Sequence, residues 1–258
     1  MTALVDRLRP LVAVIFLLAL WQAMSLLLQE DYLPPATAVL ADAGQLLASG
    51  ALIPDILSSL GRLAWGFAFG IGLGIPVGLV SGRSERVNDF VAPLLALFYP
   101  VPKAALMPIF LLWFGAGDIS KVVIIAMSVS LPLVYHSYQG AKSVDEKLRW
   151  SAAAMGTSRL RQFWKIILPA SLPEVLLGAR VAIVIGVIAM VSSEMIVRQN
   201  GVGYYIFNTL DMAEYQTTYA VIVVVSAMGY ALDWLFERVR LRLTFWAPER
   251  RAPTVEPA

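Results

Sequence analysis

Residues 60–82 read LGRLAWGFAFGIGLGIPVGLVSG, an apolar run broken by a single charge, Arg62, near its start. About 20 residues at 1.5 Å each cross a hydrocarbon core of roughly 30 Å. The apolar positions are continuous rather than alternating, which predicts a membrane helix and not a barrel strand. Gly66, Gly70, Gly74, Gly78 and Gly82 recur at every fourth position. Residues four apart form one ridge of a helix, so this ridge lacks side chains and lets another helix approach closely.

The rest of the chain has the same character. Of 258 residues, 59% are hydrophobic and 15% charged, with a mean hydropathy of +0.72. A soluble domain carries about a quarter charged residues. Five more segments, near 10–28, 90–114, 119–139, 174–197 and 217–237, are long enough to cross. The first follows Arg7 and Arg9 but lacks an A-x-A-like cleavage site, so it reads as a retained span. The prediction is an all-α polytopic bundle of six spans in one domain, residues 1–258. Pro100, Pro102 and Pro108 should break the third span, which a bilayer tolerates where protein or water satisfies the freed carbonyls.

Lys and Arg set the orientation. Arg7, Arg9, Arg83, Arg86, Lys142, Lys147, Arg149, Arg159, Arg161, Lys165, Arg238, Arg240, Arg242, Arg250 and Arg251 fall on one side. The opposite loops carry Glu30, Asp31, Asp42, Asp55, Asp118, Asp211 and Glu214, with Arg62, Lys121 and Arg198 near their edges. Both termini are therefore expected in the cytoplasm. On the external side, residues 29–59 hold one short helix, from about Ala36 to the Ser49-Gly50 stop, too short to span.

The cytoplasmic stretch 141–172 is the main interruption in the apolar pattern. Ser143 and Glu146 have capping-box spacing, so a helix should start at Val144–Asp145 and stop at Gly156. A second should begin near Thr157 or Ser158 and end near Leu168, because Pro169 follows. Ser171 and Glu174, with Pro173 in the first turn, should cap the fifth span.

Gly156, nine residues, then Ile166-x-Leu168-Pro169 resembles the E-A-A-x3-G-x9-I-x-L-P signature of importer-type ABC transporter permeases. Ala152 also matches, Ser151 stands at the first alanine and Trp150 at the glutamate, so that glutamate's polar contact does not carry over. The stretches SSLGRLAWGFAFGIGLGIPVG, VPKAALMPIFLLWFGAG and SSEMIVRQNGVG look like the aliphatic-sulfonate, taurine and nitrate branch, over about residues 55–240. The resemblance implies a type I importer permease in a bacterial inner membrane. It also implies that 141–172 is a coupling loop against a cytoplasmic ATPase subunit, that the chain pairs with itself, and that an external solute-binding protein serves it. Its solute would be small and anionic; thiamine-precursor and aromatic-acid permeases are related alternatives. ATP and Mg would belong to the ATPase, since this chain has no G-x-x-x-x-G-K-[ST] and is expected to hold no cofactor itself.

Enzyme chemistry is disfavoured. His136 is the one histidine and cannot form H-E-x-x-H, so no metal site is expected, and no nucleic-acid partner either. Gly82-Arg83-Ser84 and Gly156-Thr157-Ser158 lack the closing glycine of a nucleophile elbow. Ionisable residues inside spans are the functional candidates. Lys103 and Glu194 are candidates for lining the solute pathway or for pairing with each other. Arg180 is expected to snorkel toward lipid phosphates.

Overall fold

The computed structural model describes residues 2–247, with side chains from residue 12; Arg250 and Arg251 lie outside the described residues, as do the side chains of Arg7 and Arg9. The described residues form helices throughout and no strand. In order these are α1 (Thr2–Leu28), α2 (Ala36–Ala48), α3 (Ile53–Ser81), α4 (Glu85–Phe98), a 3-10 turn (Lys103–Leu106), α5 (Met107–Phe114) and α6 (Asp118–Lys142). Then come α7 (Glu146–Ala154), α8 (Arg159–Gln162), a π-turn (Phe163–Ile167), α9 (Leu168–Ile196), α10 (Val202–Asp211) and α11 (Tyr215–Leu243).

Four stretches are long and apolar enough to cross a membrane: Ile53–Ser81, Asp118–Lys142, Arg159–Ile196 and Tyr215–Leu243. A fifth is broken, with Glu85–Phe98 and Lys103–Phe114 meeting at 86°. Among the described residues the apolar part of α1, Val12–Leu28, is shorter than these, so the sixth expected crossing is not established. The break falls at the predicted prolines: Pro102 precedes the 3-10 turn and Pro108 sits in the first turn of α5. Pro76, Pro93, Pro132 and Pro173, by contrast, lie inside helices.

Contacts divide the chain into two units. One runs to Gly61 and resumes from Val191 to Met228. Its core gathers Val39, Ala43 and Leu46 of α2 with Leu52, Ile206, Ala220, Val221 and Val224. Val39, Ala43 and Leu46 recur at helical spacing, so one face of α2 is buried. The Trp21 indole donates to the Pro34 carbonyl at 3.1 Å, which fixes the turn into that helix. Gly50, at φ +76°, ends it where the sequence puts the stop. Two boundaries differ from expectation. Helix α3 begins at Ile53, so Asp55 and Ser59 are helical rather than part of the external loop. Helix α10 stands where the sequence reading places no helix, although Val202, Ile206 and Thr209 recur on one buried face.

The other unit runs from Arg62 to Met190 and resumes at Gly229. Here all five ridge glycines face α6. A Cβ added at Gly66 would meet Ile125, at Gly70 Val129, at Gly78 Ser137 and the Val134 carbonyl, and at Gly82 Ala141 and the Tyr138 carbonyl. At Gly74 it would lie 2.8 Å from Leu133 Cβ and 2.9 Å from the Ser130 carbonyl. Gly72, off the ridge, has nothing within 4 Å. The period of four thus corresponds to a backbone contact along the length of α3. Arg62 and Lys121, expected near loop edges, are buried at 3% and 0% exposure, because α3 starts earlier than expected and Lys121 sits inside the first turns of α6. Arg62 Nε reaches Asp118 Oδ1 at 2.7 Å.

Candidate functional site

The stretch 141–172 is more continuously helical than the sequence suggests. The cap of α7 is Asp145, whose Oδ1 accepts the Lys147 N–H at 2.8 Å. Ser143 has another role: its hydroxyl donates to the Gly140 carbonyl at 3.0 Å, closing α6. The expected capping box is therefore replaced by an aspartate cap two residues later; a carboxylate at a helix N-terminus also suits the dipole. At the other end the Gly156 N–H meets the Ala153 carbonyl at 2.9 Å and the Thr157 N–H meets the Ala152 carbonyl at 3.0 Å. With Gly156 at φ +75°, this is a Schellman stop, the left-handed ending glycine favours.

Beyond Gly156 the expected second break is absent. Helix α8 passes through the π-turn directly into α9, giving one helical stretch from Arg159 to Ile196. In an α-helix the Pro169 ring would clash with the carbonyl four residues back. Here the Leu168 N–H bonds to the Phe163 carbonyl, five residues back, and the wider turn makes room. Ser171 and Glu174 do not cap this helix. Ser171 donates to the Leu168 carbonyl at 3.1 Å, and Glu174 Oε1 lies 2.9 Å from His136 Nδ1.

Of the signature residues, Ala152 is buried at 4%, Ile166, Leu168 and Pro169 are half-buried, and Trp150, Ser151 and Gly156 are exposed. Ile167, between two signature positions, carries the packing: it joins Leu79, Ala141 and Val175 in a core cluster against which Leu168 also rests. A Cβ on Gly140 would lie 3.1 Å from Glu174 Cβ, and one on Gly178 would meet the His136 ring. Both ends of the loop are thus rooted in one closely packed pair, α6 and α9.

Arg180 does not snorkel. Its Nε and Nη2 contact Asp233 Oδ1 and Oδ2 at 2.7 and 2.8 Å, and its Nη1 lies 3.2 Å from Glu237. A bidentate carboxylate partner on α11 outcompetes distant phosphates because it satisfies the guanidinium locally. The sequence reading did not find Asp233; a carboxylate inside an apolar span was the available signal.

Lys103 stands in the 3-10 turn at the break. Its Nζ donates to the Phe98 and Tyr99 carbonyls at 3.0 and 2.8 Å, capping α4, where a cation suits the helix C-terminus. It also lines a pocket of about 160 Å³ with Phe98, Val101, Leu106, Met127, Ser130 and Leu131. Glu194, in the other unit, is fully buried. Its two oxygens accept from the Ser59 hydroxyl at 2.8 Å, and one accepts the Gly203 N–H at 3.0 Å. The Val202 N–H donates to Ser59 Oγ at 3.0 Å and the Gly201 N–H to Asp55 Oδ1 at 2.6 Å. The Glu194 carboxyl is thus held at the N-terminus of α10. Nearby on α10, burial and then the carboxylates of Asp55, Glu214 and Asp42 push the Tyr205 phenol up.

Residues 70–245 match the family described as binding-protein-dependent transport system inner membrane component. The chain belongs to this family. It is 31% identical over 232 residues to a putative aliphatic sulfonates transport permease protein of Bacillus subtilis, covering 89% of this chain and 84% of that one. It is 30% identical over 240 residues to the taurine transport system permease protein of Escherichia coli, covering 90% and 87%. Its fold is similar to a chain of the inward-facing MetNI methionine ABC transporter, with TM-score 0.65, 17% identity, and 75% and 96% coverage. This family member is a multi-pass inner-membrane permease subunit of an ABC importer and not an enzyme. Its partners are an ATPase subunit and a solute-binding protein.

Proposed function

We propose that this permease imports a small anionic solute of the sulfonate, taurine or nitrate kind by alternating access. In this reading two copies pair symmetrically in the lipid bilayer, each against one ATPase, and ATP and Mg are bound by the ATPase alone. The observation that carries the coupling is α7 itself: a helix capped by Asp145, stopped by Gly156, and rooted at both ends in the α6–α9 pair. A stiff element so rooted delivers a displacement to two spans at once, whereas a slack loop would absorb it. The loop exposes Trp150, Ser151 and Gly156 on this rigid frame.

The solute class is supported by the sulfonate and taurine relatives and by Lys103. That lysine lies half-buried beside a pocket at the broken span, where irregular backbone belongs next to protein or a wet cavity. Glu194 contributes by holding the start of α10. The test is reconstitution of the permease with its ATPase and binding protein in vesicles, followed by uptake of labelled taurine, methanesulfonate and nitrate. ATP-driven accumulation of at least one is expected. Accumulation of none, with a competent ATPase present, overturns the reading.

A further inference from the structure

The chain has seven tryptophans. Trp21 donates to a carbonyl and stacks near Tyr219. Trp65 lies on Phe69, Trp113 between Phe110 and Phe114, Trp164 on Phe163 and Trp246 on Phe245. Trp234 lies under the Arg238 guanidinium at 3.9 Å. Among the described residues Trp150 alone has neither a ring partner nor a hydrogen bond, and it is 65% exposed. It sits mid-way along α7, between the Asp145 cap and the Gly156 stop.

Its surroundings sharpen the contrast. Leu148, Met155 and Leu160 are exposed at 54%, 78% and 71% in the same water-side loop. Around them Lys147, Arg159, Arg161 and Lys165 are exposed and basic. Large apolar side chains with a charged surround mark a surface that another protein covers. Tryptophan, with tyrosine and arginine, is enriched among the energetic anchors at the middle of such surfaces, where a surrounding rim excludes water. The helix bearing it is polar: Glu146, Lys147 and Arg149 flank Trp150, and Arg149 approaches Glu146 at 3.7 Å. That composition fits a protein groove better than the interior of a bilayer.

We infer that Trp150 is the apolar anchor by which this permease seats its ATPase, in a slot that is apolar at its base and acidic at its rim. The inference rests on the function proposed above and adds the chemistry of the partner surface. Where the resembling signature has a glutamate, which calls for a basic or hydrogen-bonding socket, this chain presents an indole. Its ATPase must therefore differ at that socket. An ATPase built for a glutamate will seat poorly here, because a carboxylate-binding group would be left buried and unpaired against the ring.

The test uses the full permease co-expressed with its ATPase. Trp150→Phe, Trp150→Ala and Trp150→Glu are compared for ATPase retention in detergent and for ATP-driven uptake in vesicles. The alanine and glutamate variants should weaken ATPase binding about thirtyfold or more, a loss typical of a central anchor. The phenylalanine variant should retain most of it. Melting of the permease alone should change little, since Trp150 is 65% exposed and has no ring partner or side-chain hydrogen bond in its own fold. Equal ATPase binding by wild type and Trp150→Glu overturns the inference while leaving the importer reading intact. If the wild-type permease neither retains the ATPase nor transports, it is the importer reading that falls. Quenching of Trp150 by brominated lipid in the assembled complex would also overturn the inference, by placing the ring in the bilayer.

Discussion

His136 Nδ1 lies 2.9 Å from Glu174 Oε1, and each side chain rests where the opposite helix carries a glycine: Glu174 over Gly140, His136 over Gly178. The pair therefore combines close backbone approach with a polar clasp, and it does so where the stretch 141–172 joins α6 and α9. Removing either half should loosen α6 from α9. Glu174→Ala and His136→Ala should each lower the melting temperature in detergent, with a coupling of about 1 kcal/mol in a double-mutant cycle. Strictly additive losses would show that the two side chains do not act together. Gly178→Val should be worse than either, because it drives a branched side chain into the His136 ring.

Gly156→Val tests the end of α7 and the coupling proposed for it. A β-branched residue resists φ near +75°, at a cost of about 1–2 kcal/mol. Nothing lies within 4 Å of the position where a Cβ would stand, so the strain is conformational and not steric. The variant should assemble weakly with the ATPase or hydrolyse ATP without transport. Wild-type uptake in reconstituted vesicles would remove Gly156 from the mechanism.

The glycine ridge offers an internal control. Gly74→Leu places a side chain against Leu133 and the Ser130 carbonyl, and overpacking of this sort costs about 1–3 kcal/mol. Gly72→Leu, two residues away, enters open space. The first should lower thermal stability in detergent and the second should leave it nearly unchanged. Equal melting of the two variants would contradict the α3–α6 contact.

Lys103 and Glu194 should separate in their effects. Glu194→Gln weakens the acceptor for Ser59 and Gly203 in a fully buried site, so stability should fall by about 1–3 kcal/mol. Ser59→Ala should reproduce part of that loss. Lys103→Met should instead reduce anion uptake about tenfold or more, with ATPase activity maintained; a cation facing an anionic solute is worth that much in favourable geometry. Full transport by Lys103→Met would leave the lysine as a cap of α4 and nothing more.

Much of the fold is legible in the sequence. Long continuous apolar runs mark helical membrane spans because lipid requires every backbone group to be satisfied within the segment. The glycine period is equally local information, since four residues return the chain to the same side of a helix. Prolines at 100, 102 and 108 marked the broken span, and Pro35 with Ser49-Gly50 bounded α2 at Ala36–Ala48. These features depend on neighbours within a few residues, and the sequence contains those neighbours.

The partners of the charges were a different matter. The sequence suggests a lipid phosphate for Arg180 and leaves Glu194 either paired with Lys103 or lining the pathway; the fold brings Asp233 to Arg180, and Ser59 with the α10 N-terminus to Glu194. Ser59 and Glu194 are 135 residues apart in the chain, and no local pattern encodes their meeting. Pro169 misled for a related reason. Its rule assumes α-helical hydrogen bonding, and a π-turn packed through Ile167 against Leu79, Ala141 and Val175 changed that spacing. Which segments are membrane helices is written into each segment, because lipid requires the backbone to be satisfied within it. Which partner each charged side chain meets depends on tertiary packing, because a polar group taken from water pairs with whatever donor or acceptor distant helices bring within about 3 Å.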